Sequence, residues 1–394
     1  MGIPVEFKRY LEINLPQRQS AFLWGARKTG KSFYLKRRFP SSVVYDLLNT
    51  EVYWRLLEKP QSLREDVLAM SQEELGHPII IDEIQMVPQL LNEVHWLIEN
   101  TDASFLLCGS SARKLRRDGV NMLGGRAWRY QFYPLTYSEI PNVDLLKALS
   151  RGLIPSHYTA INWGKSIKAY IRDYLTEEIK AESLVRNLVA FSRFLKVAAH
   201  SNGELIHYTN IAQDCGVDKK TVKEYYQILV DTLLGYFVYP YKKQSKRKDL
   251  VAMPKFYFFD IGVVNGLASR RLTDLNGMIA GLSFEHYILM EIQAYIGLND
   301  LDHDVHFWRT HSGLEVDFVV SDADVVAIEV KIGSTVRQSE LKGLVDFTMK
   351  ENPVRSLVVC QAPRRRLIEL PDDKVITVLP WEEFLQMLWR GDIL

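Results

Sequence analysis

Residues 25–32 read GARKTGKS, and the run PIIIDEIQ (78–85) sets two acids at the end of an apolar stretch. Gly25 and Gly30 let the backbone curl so that the N–H groups of Ala26, Arg27, Lys28 and Thr29 point at phosphate oxygens. Lys31 then reaches the outer phosphates of ATP, and the Ser32 hydroxyl is placed to ligate Mg2+. Asp82 is expected to hold the same ion through water, and Glu83 to polarise the attacking water. An acid pair at that place points to hydrolysis and away from nucleotide storage. A third apolar run ends in CGSSARKLRR (108–117), where Ser110 or Ser111 stands as a sensor of the terminal phosphate. Arg113, Arg116, Arg117, Arg126 and Arg129 crowd the next stretch. Arg126 is the expected arginine finger, acting in its own subunit or across an oligomer interface.

A second group of chemically useful residues lies in GLEVDFVVSDADVVAIEVK (313–331). Strand alternation puts Glu315, Asp317 and Val319 on one face and Val316, Phe318 and Val320 on the other. Glu329 and Lys331 share a face of the following run, and SDAD (321–324) turns the chain between the two. Two carboxylates and a lysine brought together by such a hairpin suit phosphodiester hydrolysis: the acids bind one or two Mg2+ ions, with Mn2+ as an alternative, and the lysine orients water. Glu285, near the start of the helical stretch SFEHYILMEIQAYI (283–296), is a further candidate ligand, and His286 a weaker one. The competing reading is a solvated strand face that carries no chemistry.

The elements that must position these residues follow from the hydrophobic pattern. The runs AFLWG (21–25), SVVYDL (42–47), PIIID (78–82) and SFLLCG (104–109) are short and continuously apolar, as strands covered on both faces are. Residues 1–140 are therefore read as an α/β unit with a parallel sheet. Residues 141–250 show helical spacing, and YTNIAQDCGVDKKTVKEYYQIL (208–229) has the look of a helix-turn-helix. In it Thr209 is expected to cap the first helix, Gly216 to make the turn and Asp218 to cap the second. Ala212, Val217, Val222 and Leu229 supply the packing, which leaves Lys219, Lys220 and Lys223 exposed where a recognition helix meets DNA. The basic run Lys242, Lys243, Lys246, Arg247 and Lys248 follows Tyr239 and Tyr241, a combination suited to tracking a phosphate backbone or to a solvated hairpin tip. Residues 251–394 form a last α/β unit.

Formal net charge is +1 over 394 residues, so a nucleic-acid partner must be held by local patches and not by overall charge. Three scattered cysteines without CxxC spacing indicate neither a disulfide framework nor a zinc site. No run approaches the ~18 apolar residues of a membrane span, and a cytoplasmic protein is expected.

Taken together, GARKTGKS, IIIDEIQ, LLCGSSARKL and LGGRA resemble the ATPase motifs of a prokaryotic AAA-type P-loop family. That family carries a C-terminal domain of unknown function related to PD-(D/E)xK nucleases. PKFYFFDIGV, EVDFVV and IEVK are similar to its C-terminal part, and the resemblance covers nearly the whole chain. It implies an α/β fold in three parts: ATPase domain (1–140), helical and winged-helix middle (141–250) and nuclease-like domain (251–394). Asp317, Glu329 and Lys331 fall on the nuclease-like motif and Glu285 on its upstream acid. The expectation is an ATP-hydrolysing, homo-oligomeric, DNA-processing protein with a Mg2+-dependent endonuclease centre acting on branched or structured DNA. The alternative is a non-cutting ATP switch that binds DNA or a protein through a silent nuclease-like domain.

Overall fold

The computed structural model describes residues 6–111, 123–175, 187–242 and 253–394. Arg113, Arg116, Arg117, Lys243, Lys246, Arg247 and Lys248 lie outside the described residues. The chain divides into two compact units, one of Glu6–Leu135 with Ile228–Leu234, the other holding Thr136–Gln227 with Gly235–Leu394. The helical middle and the C-terminal α/β segment thus share a unit.

In the first unit the strands β1 (Ser20–Trp24), β2 (Val44–Asp46), β3 (Ile79–Asp82), β4 (Phe105–Gly109) and β5 (Ala127–Gln131) pair in the order β2-β3-β4-β1-β5. Every pairing is parallel. All residues of β1, β3 and β4 are buried, because side chains of both parities meet a covering layer. Phe22, Ile79, Ile81, Phe105 and Leu107 pack with Leu91, Val94 and Leu97 of the helix Leu90–Asn100. Since β4 lies between β1 and β3, the loop after β1, the acids ending β3 and the serines after β4 emerge side by side. This is the edge where open parallel sheets bind ligands.

The second unit is built on an eight-stranded sheet: β6 (Gly235–Pro240), β7 (Lys255–Phe258), β8 (Asp304–Arg309), β9 (Glu315–Ser321), β10 (Val325–Lys331), β11 (Arg355–Cys360), β12 (Arg366–Glu369) and β13 (Val375–Pro380). Their order is β12-β13-β11-β10-β9-β8-β6-β7. β9 and β10 form the expected antiparallel hairpin, whereas β10 and β11 run parallel across the connecting helix Lys342–Glu351.

Strict alternation fails in β9. The register shifts between His306 and Trp308 of β8, where an advance of two residues matches one of three, from Val319 to Val316, in β9. That bulge changes the parity, so Val316 and Val319 pack into one core cluster. Val319 therefore does not share a face with Asp317 as strict alternation required. The sheet is also covered on both sides here, with residues 316–320 and 326–330 all buried. The reading of a solvated strand face is thereby excluded.

The helices Tyr208–Cys215 and Lys219–Asp231 flank Gly216, which is left-handed at φ 67° and so closes the first helix as glycine does most readily. Asp218 caps the second by accepting from the N–H groups of Lys220 (2.8 Å) and Thr221 (3.0 Å). Thr209 does not cap the first: the helix already begins at Tyr208, with His207 at the cap position and no side-chain cap bond. Phe191 and Phe194 of the helix Leu188–His200 pack edge-on or tilted against Tyr225, and Phe194 edge-on against Tyr226. The outer residues Lys219, Lys220 and Lys223 stay exposed.

Candidate functional site

The phosphate loop runs from the end of β1 into the helix Lys31–Arg38. Its curl depends on two glycines for different reasons. Gly30 has φ 102°, a conformation that costs an L side chain strain. A Cβ on Gly25 would meet the Phe132 carbonyl oxygen at 2.3 Å, so no larger residue fits without moving backbone. Lys28 is also left-handed, at φ 61°. Thr29 Oγ1 donates to the Ala26 carbonyl at 2.7 Å, and Lys31 Nζ to the carbonyls of Gly25 (2.6 Å) and Ala26 (3.1 Å). Arg9 braces the loop from outside, donating to the Thr29 carbonyl at 2.8 Å with its guanidinium over the Phe132 ring.

Ser32 Oγ donates to Asp82 Oδ2 at 2.6 Å, so two residues fifty positions apart meet as a magnesium-binding pair requires. These donors fit Mg2+: Ser32 would ligate it and Asp82 would hold it. Glu83 follows in a left-handed conformation, φ 59°. Ser110 Oγ donates to Glu83 Oε2 at 3.2 Å, and Gln85 Nε2 donates to both Glu83 Oε2 and Ser110 Oγ. Arg27 Nε stands 3.8 Å from Glu83 Oε1. The structure thus gathers Lys31, Ser32, Asp82, Glu83 and Ser110, and adds Gln85, which the motif reading missed although it lies in the same acidic run. Beneath them burial, reinforced by the Asp82 charge, pushes the Cys108 thiol well up and keeps it protonated.

Arg126 is not part of this assembly. It immediately precedes β5, whose start is level with Ser20, whereas the phosphate loop follows Trp24 at the other end of parallel β1. The separation along the strands is on the order of 15 Å. Arg126 pairs instead with Glu99. A finger role within its own subunit is therefore set aside.

The second cluster lies at the ends of β7, β9 and β10. Asp317 and Glu329 are buried, at 9% and 6% exposure. Asp317 Oδ2 accepts from the Val330 N–H at 2.8 Å, and Lys331 Nζ donates to Glu329 Oε1 at 2.5 Å. The other oxygen, Glu329 Oε2, is buried without a hydrogen-bond partner. Tyr257 donates its hydroxyl to Glu285 Oε1 at 2.5 Å. Between these acids stands Lys255, which no motif flagged: its ammonium is 2.6 Å from Glu315 Oε1 and 3.7 Å from Glu285 Oε1. Arg309 holds the other oxygen of Glu315 at 2.9 Å.

The electrostatics follow from burial and mutual charge. Burial pushes Glu285 up to about 7, against the pull of Lys255. Burial and then the Asp317 charge push Glu329 up to about 8, against the pull of Lys331. Burial alone would lower both lysines, but Glu285, Glu315 and Asp317 hold Lys255 above its ordinary value, and Asp317 and Glu329 do the same for Lys331. Asp317, Glu329, Lys331 and Glu285 thus belong to one charge network. They are not arranged as ligands, however: among the described residues no group of three or more His, Cys, Asp and Glu side chains is placed to hold a metal ion. The orphan Glu329 oxygen favours an ion, but ammonium groups stand where one would need the carboxylates, and the donor set does not fit Mg2+. His286 is no ligand candidate either. It is buried, its Nε2 lies 2.7 Å from the Phe258 carbonyl, and burial lowers it to about 4.

A parallel sheet with a glycine phosphate loop, an opposed Asp-Glu pair and a sensor serine between them defines an AAA-type P-loop ATPase domain. Comparison with known families agrees, since residues 17–141 match the family described as an AAA domain. Residues 142–274 and 280–384 match two domains of unknown function, DUF8612 and DUF4143. No curated protein matches the chain. Among solved structures, the Aeropyrum pernix Orc1 protein in complex with DNA is similar at 13% identity, over 64% of this chain and 86% of that one. The TM-score of that match is 0.27. Among the described residues no helix is long and apolar enough to cross a membrane.

Proposed function

We propose that the chain is an ATP-hydrolysing protein that acts on DNA, with the AAA-type domain as the nucleotide-driven part and the second unit as the part that meets nucleic acid. The observation that carries the first half is the Ser32–Asp82 contact beside Glu83 and Ser110. ATP is held by the loop 25–32, Lys31 neutralises its outer phosphates, and Mg2+ supplies further charge neutralisation when bound. Glu83, steered by Gln85 and Ser110, accepts the proton of the attacking water. Arg126 of a neighbouring copy completes the site in a homo-oligomer. The second half is supported by Lys219, Lys220 and Lys223 at the start of a capped helix, followed by the β6–β7 hairpin and its basic connection from Lys242 onward. That order is the one a winged-helix module would have.

The test joins both halves. Wild-type protein is expected to hydrolyse ATP and to bind duplex DNA with a salt dependence that Lys219→Ala/Lys220→Ala/Lys223→Ala reduces. Three lost phosphate contacts lower the slope of log K against log salt by about 3. Lys31→Ala should abolish hydrolysis. An unchanged salt slope would remove the DNA half and leave the ATPase half standing.

For the C-terminal sheet, PD-(D/E)xK nuclease-like in its motif, we favour binding over cutting. The cutting alternative assigns Asp317, Glu329 and Glu285 to Mg2+ or Mn2+ and Lys331 to water, and the orphan oxygen of Glu329 speaks for it. Cleavage of branched DNA by wild type and not by Asp317→Ala would establish that alternative.

A further inference from the structure

We propose that Lys255 is the resident cation of the C-terminal carboxylate cluster, holding the place that a divalent ion would need, so that this centre works without a metal. The inference deepens the binding reading above and rests on it. Lys255 is the first residue of β7, and its side chain is only 4% exposed. An ammonium so deeply buried is tolerated only when paired. The pairing here is built from three directions: Glu315 at 2.6 Å, Glu285 at 3.7 Å and the Phe307 ring, whose centroid is 5.3 Å away. The aromatic face adds favourable electrostatics and keeps water out.

The remaining acids are also engaged. Arg309 takes the second oxygen of Glu315 at 2.9 Å, Lys331 takes Glu329 at 2.5 Å, and Asp317 accepts the Val330 N–H while facing both ammonium charges. A magnesium or manganese ion needs several oxygens at about 2.0–2.2 Å. At least one oxygen of each acid already meets a lysine, Arg309, the Tyr257 hydroxyl or the Val330 N–H, and among these acids only Glu329 Oε2 is buried without a partner. A dication beside a buried Lys255 would also meet strong like-charge repulsion. Four acids met by Lys255, Lys331 and Arg309 are nearly balanced by the protein itself. A sheet whose acids are internally neutralised can approach a polyanion, whereas a bare acidic pocket repels one until it is metallated.

The experiment is a Mn2+ titration of the full chain without nucleotide, followed by the paramagnetic signal of free ion, on wild type, Asp317→Asn, Lys255→Met and Lys255→Met/Asp317→Asn. Wild type and Asp317→Asn should bind the same number of ions. Lys255→Met should gain one equivalent that the double variant loses. A wild-type equivalent lost in Asp317→Asn would overturn the proposal, as would a folded Lys255→Met that gains none. Should Lys255→Met fail to fold by circular dichroism, the wild-type against Asp317→Asn arm decides alone. Failure of the wider functional reading shows elsewhere, as absent ATP hydrolysis or DNA binding by wild type.

Discussion

The two anion- and acid-handling regions of the chain solve opposite problems with different materials. The phosphate loop must receive negative charge from outside, and it prepares for this with main-chain geometry: left-handed Lys28 and Gly30, a Gly25 pressed against Phe132, and a helix start at Lys31. The C-terminal cluster must keep its own negative charge inside, and it uses side-chain cations drawn from β7, β8 and β10. Backbone N–H groups cannot move away or lose charge, so the first region is pre-organised for a ligand. Ammonium and guanidinium groups already bound to carboxylates make the second region complete in itself. A constellation of acids is thus not evidence for a metal until its counter-charges have been located.

If the first region is catalytic and the second is not, substitution should separate them. The largest effect is expected for Glu83→Gln, which keeps the shape that Gln85 and Ser110 hold but removes the proton acceptor. ATP hydrolysis should fall by about 10²–10⁴-fold while binding of a fluorescent ATP analogue persists. Equal loss of binding and turnover would mean that Glu83 supports the fold of the loop and not the chemistry.

The next effect is on stability and belongs to the second region. Lys255→Met leaves Glu285 and Glu315 buried without their ammonium partner and should cost about 3–5 kcal/mol in urea unfolding. Lys331, whose side chain is 35% exposed, pairs with Glu329, whose carboxyl burial pushes up to about 8, so that the acid can stay protonated once the lysine is gone. Lys331→Met should therefore cost about 1 kcal/mol or less. Similar costs for the two would show that the cluster is equally wet throughout, and the contrast between the regions would weaken.

The legibility of the two regions in the sequence differs for the same physical reason. The phosphate loop is contiguous, so GARKTGKS states its geometry within eight residues, and the strands around it are uniformly apolar. The hairpin carrying Asp317 and Glu329 was also legible, since its turn and apolar flanks are local. Lys255 was not, because a lysine opening the aromatic run KFYFF reads as an ordinary strand edge until the sheet order places it beside Glu315. The bulge that moves Val319 to the face of Val316 was equally hidden, being set by the pairing of β9 with β8. Thr209 was misread because a threonine followed by helical residues looks like a cap wherever it stands, and only the start of the helix at Tyr208 decides. The same-subunit half of the Arg126 expectation failed because clustering in sequence says nothing about which end of a parallel strand a residue occupies.

The smallest effect at neutral pH concerns a buried acid of the second unit that no motif includes. Glu291 accepts from the Tyr137 N–H at 2.9 Å and from Trp389 Nε1 at 2.8 Å. Burial pushes its carboxyl up to about 8 from an ordinary 4.5, although those donors pull the other way. The folded state therefore keeps a proton that the unfolded chain releases. Stability from this group is complete below pH 4.5 and is lost progressively as pH rises toward 8. A protonated Glu and a Gln are close in shape and each offers one carbonyl acceptor, so Glu291→Gln should change stability by about 1 kcal/mol or less at pH 5. Above pH 8 the variant should be the more stable protein, because wild type there buries a charge that lacks a cation like Lys255. Urea unfolding at pH 5, 6.5 and 8.5 reads the crossing. If the two proteins ran parallel across that range, Glu291 would be ionised throughout. Buried acids in this unit would then not need a cation, and the part assigned to Lys255 would have to rest on the manganese titration alone.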